Sequence, residues 1–148
     1  MNNKTTSAKR PTVHAATNYR ALKPFLDAVD AADEKHRRFI SGGYMPLCME
    51  YLYYTDHRGF PVYSIAHYGE QNGDLMRDPD MTFSVDRENG YIHPLSYQND
   101  YIGVYRPVYK EFNGQRYISK RELNDEDAFL WTWTKNIIAQ GFSPDVTE

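Results

Sequence analysis

Between Met45 and about Asp100, the chain alternates in side-chain character with a period of two, the pattern of β-strands that present two different faces. Residues 56–59, Asp-His-Arg-Gly, have the composition of a tight turn, and the alternation resumes over residues 60–68. We therefore predict an antiparallel hairpin over residues 45–68 with its turn at 56–59. Later turn signals, above all the Asn-Gly pair at 113–114, predict that the strands continue as a meander.

Helical patterns flank this strand region on both sides. Apolar residues from Leu22 to Val29 recur at the spacing of one helix face. Pro24 places the start of that helix near Leu22 or Lys23, because proline is tolerated best in a first turn. Asn124 is the predicted N-cap of a second helix. The residues of this second helix that we expect in the core are Phe129, Trp133 and Ile137.

These elements predict an α+β fold in which an antiparallel β-meander lies between an N-terminal and a C-terminal helix. The length of 148 residues suits one domain. We divide the chain into a flexible arm (residues 1–17), one α+β domain (18–142) and a tail (143–148).

The composition argues against several classes of protein. A single cysteine, Cys48, excludes a disulfide framework and favours a small core residue over a nucleophile. No apolar stretch approaches the roughly 20 residues of a membrane span, and the polar first ten residues lack the apolar core of a secretory signal. We expect a cytoplasmic protein with no membrane contact.

Acidic residues are dense in the segment that follows the predicted hairpin. From Gly69 to Gly90, six acids oppose two arginines, a local charge of −4. We predict a loop over residues 69–79 whose oxygen atoms bind a partner, or a divalent cation as the only suggested cofactor. The alternative is that Asp74 and Asp78 cap local turns. The candidate binding residues are Tyr68, Glu70, Asn72, Asp74, Asp78 and Asp80, and the candidate metal ligands are His67, Asp74, Asp78 and Asp80.

Glu50 lies on a strand face that also carries Cys48 and Leu52, where a lone carboxylate would be costly to bury. A four-residue turn would place Glu50 opposite Ile65, with His67 as its diagonal neighbour on the same face. We therefore treat Glu50 and His67 as a candidate acid/base pair or a structural ion pair. A register error of one residue would separate them.

Tyrosine is the other unusual feature, with 13 residues concentrated in the sheet region. Surplus tyrosine on a sheet offers rigid contact area to a protein partner. Nucleic-acid binding through the basic N-terminal arm (Lys4, Lys9, Arg10 and Arg20) and residues 35–38 is the competing use. The acidic segment and the net charge of −3 oppose a polyanion.

The run Ala66-His67-Tyr68-Gly69-Glu70-Gln71-Asn72-Gly73-Asp74 and the later Asp78-Pro79-Asp80-Met81 resemble a family of small uncharacterised bacterial proteins, often encoded on mobile elements. The resemblance spans roughly residues 20–142. It implies a bacterial cytoplasmic protein and brings no activity with it.

Three functions are therefore open, and the third is the nucleic-acid binding described above. The first is a non-enzymatic protein-binding, accessory or regulatory module that uses the tyrosine-rich sheet and the acidic loop. The second is a divalent-metal-dependent hydrolase or nuclease centred on residues 67–80. The absence of a phosphate loop, a nucleophile elbow and a zinc-protease motif favours the first.

Overall fold

A computed structural model describes residues 11–148 and confirms the α+β fold, in which one helix precedes and one helix follows an antiparallel meander along the chain. The sheet has six strands in chain order from β1 to β6, and a separate two-stranded hairpin joins it to the last helix. Neither helix of the described residues has the length and apolarity to cross a membrane. The elements are α1 (Ala15–Ala31), β1 (His36–Phe39), β2 (Leu47–Thr55), β3 (Pro61–Gln71), β4 (Asp74–Asp86), β5 (Tyr91–Asn99), β6 (Val104–Pro107), β7 (Tyr109–Phe112), β8 (Gln115–Ile118) and α2 (Lys120–Ala139).

The two helices pack on one face of the sheet, here called the inner face, and the core lies between these two layers. Phe25 of α1 meets Phe39 edge-on with ring centroids 5.0 Å apart, and Trp133 of α2 lies 5.5 Å from the ring of His67. Alternate residues of the central strands complete this core, which explains the period of two in the sequence. The sheet residues buried in it are Phe39, Leu47, Met49, Tyr63, Ile65, Met81, Phe83, Val85 and Ile92.

The predicted hairpin of β2 and β3 is confirmed, but its register differs from the prediction. Glu50 pairs with Ser64, and Leu47 pairs with His67. The turn contains five residues, not four, and β2 carries two extra residues between Tyr51 and Thr55, so the net register differs from the prediction by one. Tyr53, with a φ of 61°, lies inside that irregularity. A change of one residue reverses the face of every later side chain.

The predicted pairing of Glu50 with His67 is therefore wrong. The ring of His67 lies on the inner face, where its Nδ1 is 3.0 Å from the carbonyl oxygen of Pro46. Glu50 lies on the opposite face of β2, which is the outer face of the sheet. The two side chains cannot form one acid/base site.

The acidic segment is also not a loop. Strands β3 and β4 continue to Gln71 and Asp74 and meet at a two-residue turn, Asn72-Gly73, where φ is 53° and 84°. Asn and Gly tolerate this left-handed backbone, so the turn matches the right-handed twist of the strands. The predicted loop over 69–79 is therefore a long β-hairpin, with β4 extending over 13 residues.

Helix α1 begins earlier than predicted, at Ala15, and Pro24 lies in its interior. An interior proline removes one hydrogen bond, yet the exposed Pro24 leaves the apolar face from Leu22 to Val29 free to pack in the core. Packing thus outweighs the local cost. Most of the predicted arm, including Lys4, Lys9 and Arg10, lies outside the described residues.

Helix α2 begins at Lys120, so Asn124 is not its N-cap. The side chain of Ser119 accepts a hydrogen bond from the backbone N–H of Glu122 and caps the helix. Ser119 and Glu122 have the Ser-x-x-Glu spacing of a capping box, a signal that was present in the sequence. Gly141 follows the end of the helix with a φ of 87°, as predicted.

A buried carboxylate joins the two helices. Asp127 of α2 accepts hydrogen bonds from Thr12 Oγ1 at 2.5 Å and from the backbone N–H of His14 at 3.0 Å. His14 is the N-cap residue of α1, and its ring stacks on Trp131 of α2. Because the carboxylate lies at the N-terminus of α1, it also complements the helix dipole.

The last residues of the chain pair with the edge of β1. The N–H of Ile40 donates to the carbonyl of Val146, and the N–H of Glu148 donates to the carbonyl of Arg38. Thr147 forms an isolated antiparallel bridge with Phe39, and the Glu148 carboxylate contacts the Arg38 guanidinium. The segment that we expected to be a tail is thus hydrogen-bonded to the sheet.

Of the three predicted core residues of α2, Trp133 and Ile137 are confirmed, whereas Phe129 is exposed and the prediction for it is wrong. Trp133 is 6% exposed and fills the space between α2 and the inner face. We expect Trp133→Ala to lower the free energy of unfolding by about 3–5 kcal/mol, because it removes buried area and leaves a cavity. Ile138→Ala, on the exposed side of the same helix, should change it by less than about 0.5 kcal/mol. Urea denaturation measures both, and equal effects would show that α2 is peripheral to the core.

Asp127→Ala should lower the free energy of unfolding by about 1–3 kcal/mol, because two partly buried donors at the start of α1 lose their acceptor. Asp125→Ala removes the same charge from an exposed position of α2 and serves as the control. We expect the control to match the wild type within about 0.5 kcal/mol in thermal or urea unfolding. A control as destabilised as Asp127→Ala would refute the capping role.

Candidate binding surface on the sheet

The outer face of the sheet has a floor of small side chains. Neighbouring strands align Glu50, Ser64, Thr82 and Ser96 in one row across the sheet. The next row contains Cys48, Ala66, Asp80, Gln98 and Tyr105. The hydroxyl oxygens of Thr82 and Ser96 are 2.5 Å apart. Polar and small residues in these rows contrast with the large apolar residues of the inner face.

Tyrosines border a groove of about 250 Å³ on this face. Tyr54 is 52% exposed and Tyr105 is 61% exposed, on the two sides of a floor that includes Thr82 and Ser96. The hairpin of β7 and β8 adds Tyr109 to the wall. Exposed aromatic rings beside a polar floor can contact a partner with little loss of side-chain entropy. The other lining residues are Asp56, His57, Leu95, Pro107 and Arg116.

One end of the groove is rigidly built. The Asp56 side chain accepts hydrogen bonds from the backbone N–H groups of Arg58 and Phe60 and forms an ion pair of 3.0 Å with Arg58. Burial opposes the ionised form, but hydrogen bonding from Ser84 and the backbone, with the charge of Arg58, lowers the pKa of Asp56 below its ordinary value. This carboxylate therefore stabilises the turn.

The floor continues to His93, whose Nε2 lies 2.7 Å from the hydroxyl of Tyr109. Burial, assisted by the charge of Arg58, lowers the pKa of His93 to about 3. The imidazole is therefore neutral at pH 7 and fixes Tyr109 against the sheet. Sequence reasoning assigned no role to His93.

The other end of the outer face is acidic. Burial raises the pKa of Asp80 to about 6, Arg77 opposes this shift, and the negative charges of Glu50 and Asp100 add to it. Asp80 Oδ2 is 3.7 Å from Arg77, whereas its Oδ1 is buried with no hydrogen-bond partner. The Glu50 carboxylate has no hydrogen-bond or ion-pair partner among residues 11–148. This end therefore carries one carboxylate without a partner in the described part of the chain, that of Glu50, and one that is weakly paired, that of Asp80.

The structure brings together only part of the predicted site. Tyr68, Glu50 and Asp80 share the outer face, and the pKa of Tyr68 is raised to about 12, first by burial and then by the charge of Asp80. His67 is separated from them by the thickness of the sheet. The predicted residues at the exposed tip of the β3–β4 hairpin are Glu70, Asn72 and Asp74.

Asp78 makes a local contact instead, since its Oδ1 accepts a hydrogen bond of 3.1 Å from Asn99. Within the described range 11–148, no three His, Cys, Asp or Glu side chains converge as a metal site would require. The predicted ligands His67, Asp74, Asp78 and Asp80 are thus distributed over several places on the hairpin and sheet. Cys48 is half-buried, and burial raises the pKa of its thiol, so it is no activated nucleophile.

The groove residues Tyr54, Tyr105 and Tyr109 were not in the predicted site. Their signal was the surplus of tyrosine, which could not be assigned to a face before the register was known. A second signal was the set of small hydroxyl residues at positions 64, 82, 84 and 96, each of which stands between large apolar or aromatic residues in the sequence.

We expect Asp80 to titrate near pH 6 in carboxyl-carbon NMR, and Glu50→Gln to lower its pKa. Removal of a negative charge from the same face makes ionisation of Asp80 easier. Glu70→Gln, at the hairpin tip, removes the same charge and should leave the pKa of Asp80 unchanged. An unchanged pKa in Glu50→Gln would mean that the two carboxylates do not face each other.

Comparisons with known proteins bear on the family only. Neither the curated proteins nor the solved structures gave a match. Residues 19–143 match the model described as "Domain of unknown function (DUF6908)", nearly the range over which the sequence resembled an uncharacterised family. Because this match covers well over half of the 148 residues, the chain belongs to the DUF6908 family.

Proposed function

We propose that this protein is a non-enzymatic binding module, and that the outer face of its sheet is the surface that contacts a protein partner. The observation that carries the proposal is the groove between Tyr54 and Tyr105. Tyrosine is among the residues that contribute most to protein–protein affinity when a partner buries them. A sheet floor beneath them supplies the rigidity that such contacts need.

The polar groups of the groove also suit recognition better than catalysis. Asp56 is committed to its turn, and His93 is neutral and hydrogen-bonded to Tyr109. A catalytic acid or base needs a pKa near the working pH and access to the substrate. Asp56 and His93 are positioned to form hydrogen bonds, but neither has a pKa near pH 7. The proposal requires no cofactor.

The resemblance noted in the sequence supports a wider setting for this role. Because the resembled proteins are bacterial and often encoded on mobile elements, we infer an accessory or regulatory module of bacterial origin that works in the cytoplasm. This setting is part of the proposal.

A photo-crosslinking amino acid at position 105, introduced in the cells that make the protein, should capture one partner protein. The control carries the same amino acid at position 117, because Tyr117 is 51% exposed but lies outside the groove. Capture from position 105 alone identifies the partner to be purified. Identical products from both positions would contradict the proposal.

Calorimetry with the purified partner then tests the contact itself. Tyr105→Ala should weaken binding by about 10-fold or more, as expected for a central aromatic contact. Tyr117→Ala should change binding by less than about 2-fold. Equal affinities of the wild type and Tyr105→Ala would refute the outer face as the binding surface.

A further inference from the structure

Residues 143–148, here called the strap, lie as an added antiparallel strand along the edge of β1 that faces away from β2. Two backbone hydrogen bonds and one bridge hold the strap there. The N–H of Ile40 donates to the carbonyl of Val146 at 3.1 Å, the N–H of Glu148 donates to the carbonyl of Arg38 at 3.0 Å, and Thr147 bridges to Phe39. The β1 edge therefore binds an extended segment through its backbone, which is how strand addition recognises a peptide.

The strap is attached weakly. Phe142, which precedes it, is buried in the core, whereas Val146 is about half exposed. The ion pair between Glu148 and Arg38 is open to water, because about half of each side chain is exposed. Exposed ion pairs contribute little to stability, and a segment with few buried contacts opens locally without unfolding of the domain. Release of the strap therefore costs far less than global unfolding, and it uncovers the β1 edge.

The strap and the β1 edge have opposite charge. Residues 35–38 read Lys-His-Arg-Arg, whereas the strap, Ser-Pro-Asp-Val-Thr-Glu, contains two acids and no base. In the ladder with β2, His36 is paired with Glu50 but Arg38 is paired with Cys48, and the strap supplies the carboxylate that Arg38 contacts. Backbone hydrogen bonds carry no preference for charge, so Arg38 is the group that selects an acidic segment.

Beyond the proposed function of the outer face, we propose that the β1 edge is a second binding site, which takes an acidic extended segment of a partner protein in place of the strap. The strap is then an intramolecular competitor that must leave before the partner binds. The partner segment pairs with the backbone of Arg38 and Ile40, and its carboxylate replaces that of Glu148 on the Arg38 guanidinium. Nucleic acid, the other ligand that basic residues suggest, has no backbone amides to pair with a strand.

The test uses the full chain with Glu148→Pro, which removes from the strap both the N–H that bonds to Arg38 and the carboxylate. The probe is the capped peptide Ser-Pro-Asp-Val-Thr-Glu, a copy of the strap. In backbone NMR titrations it should shift the signals of residues 38–40. It should bind Glu148→Pro at least about 10-fold more tightly than the wild type, in which the strap competes at a high effective concentration. A peptide with Asn and Gln in place of the two acids should bind about 10-fold more weakly.

The preference for acid is tested at Arg38. In the Glu148→Pro background, Arg38→Glu should lose the acidic peptide and bind the peptide Ser-Pro-Lys-Val-Thr-Lys instead. Arg121→Glu makes the same charge change at an exposed position of α2 and should keep the original preference. Tyr105→Ala should leave peptide binding unchanged, so this site and the outer face can fail independently.

Several outcomes would overturn the inference. The first is that the acidic peptide shifts no signal of residues 38–40, or shifts only the groove signals of residues 82, 96 and 105. The second is equal affinity for the acidic and neutral peptides, or equal affinity of Glu148→Pro and the wild type for the acidic peptide. The third is a thymidine oligonucleotide that binds at residues 38–40 more tightly than the acidic peptide does.

Discussion

Burial of the inner face of the sheet beneath the two helices is the interaction on which the rest of the structure depends. Large apolar residues such as Leu47, Ile65 and Phe83 can be removed from water only if every second residue of the central strands points toward α1 and α2. This condition selects the register of all six strands. It also assigns the remaining residues to the outer face, so the surface proposed for binding is a consequence of the core.

The sequence could predict those elements whose signals are local. The alternation over residues 45–68, the Asn-Gly turns and Gly141 at the end of α2 all behave as their local chemistry requires. The start of α1 was missed because tertiary packing outweighs the cost of an interior proline. The N-cap at Ser119 was missed because Asn124 and the acids that follow it were the more conspicuous signal.

The candidate site could be predicted only in part, because side chains alternate between the two faces of a strand and the register decides which face each one occupies. The turn is one residue longer than predicted, and an irregularity in β2 near Tyr53 shifts the pairing back by two, so the net register differs by one residue. Nothing in the local sequence marks this irregularity. Because a strand has a period of two, that shift moves His67 to the core and leaves Glu50 on the outer face. Asp80 and Glu50 lie on the same face, as the predicted site required, whereas His67 lies on the opposite face. The tyrosines of the groove come from β2, β6 and β7, which only the fold brings together.

The pairing of residues 146–148 with β1 affects how copies of this protein meet. A free strand edge is a template for edge-to-edge growth of a sheet, the route to aggregation. Here one edge of the sheet is occupied by the chain itself, and the other, β6, has four residues and ends at Pro107, which offers no backbone donor. The two longest strands, β3 and β4, are internal up to His67 and from Asp80 onward, where β2 and β5 pair with them. The fold therefore limits edge-to-edge growth at the two ends of the sheet, while its broad outer face stays exposed.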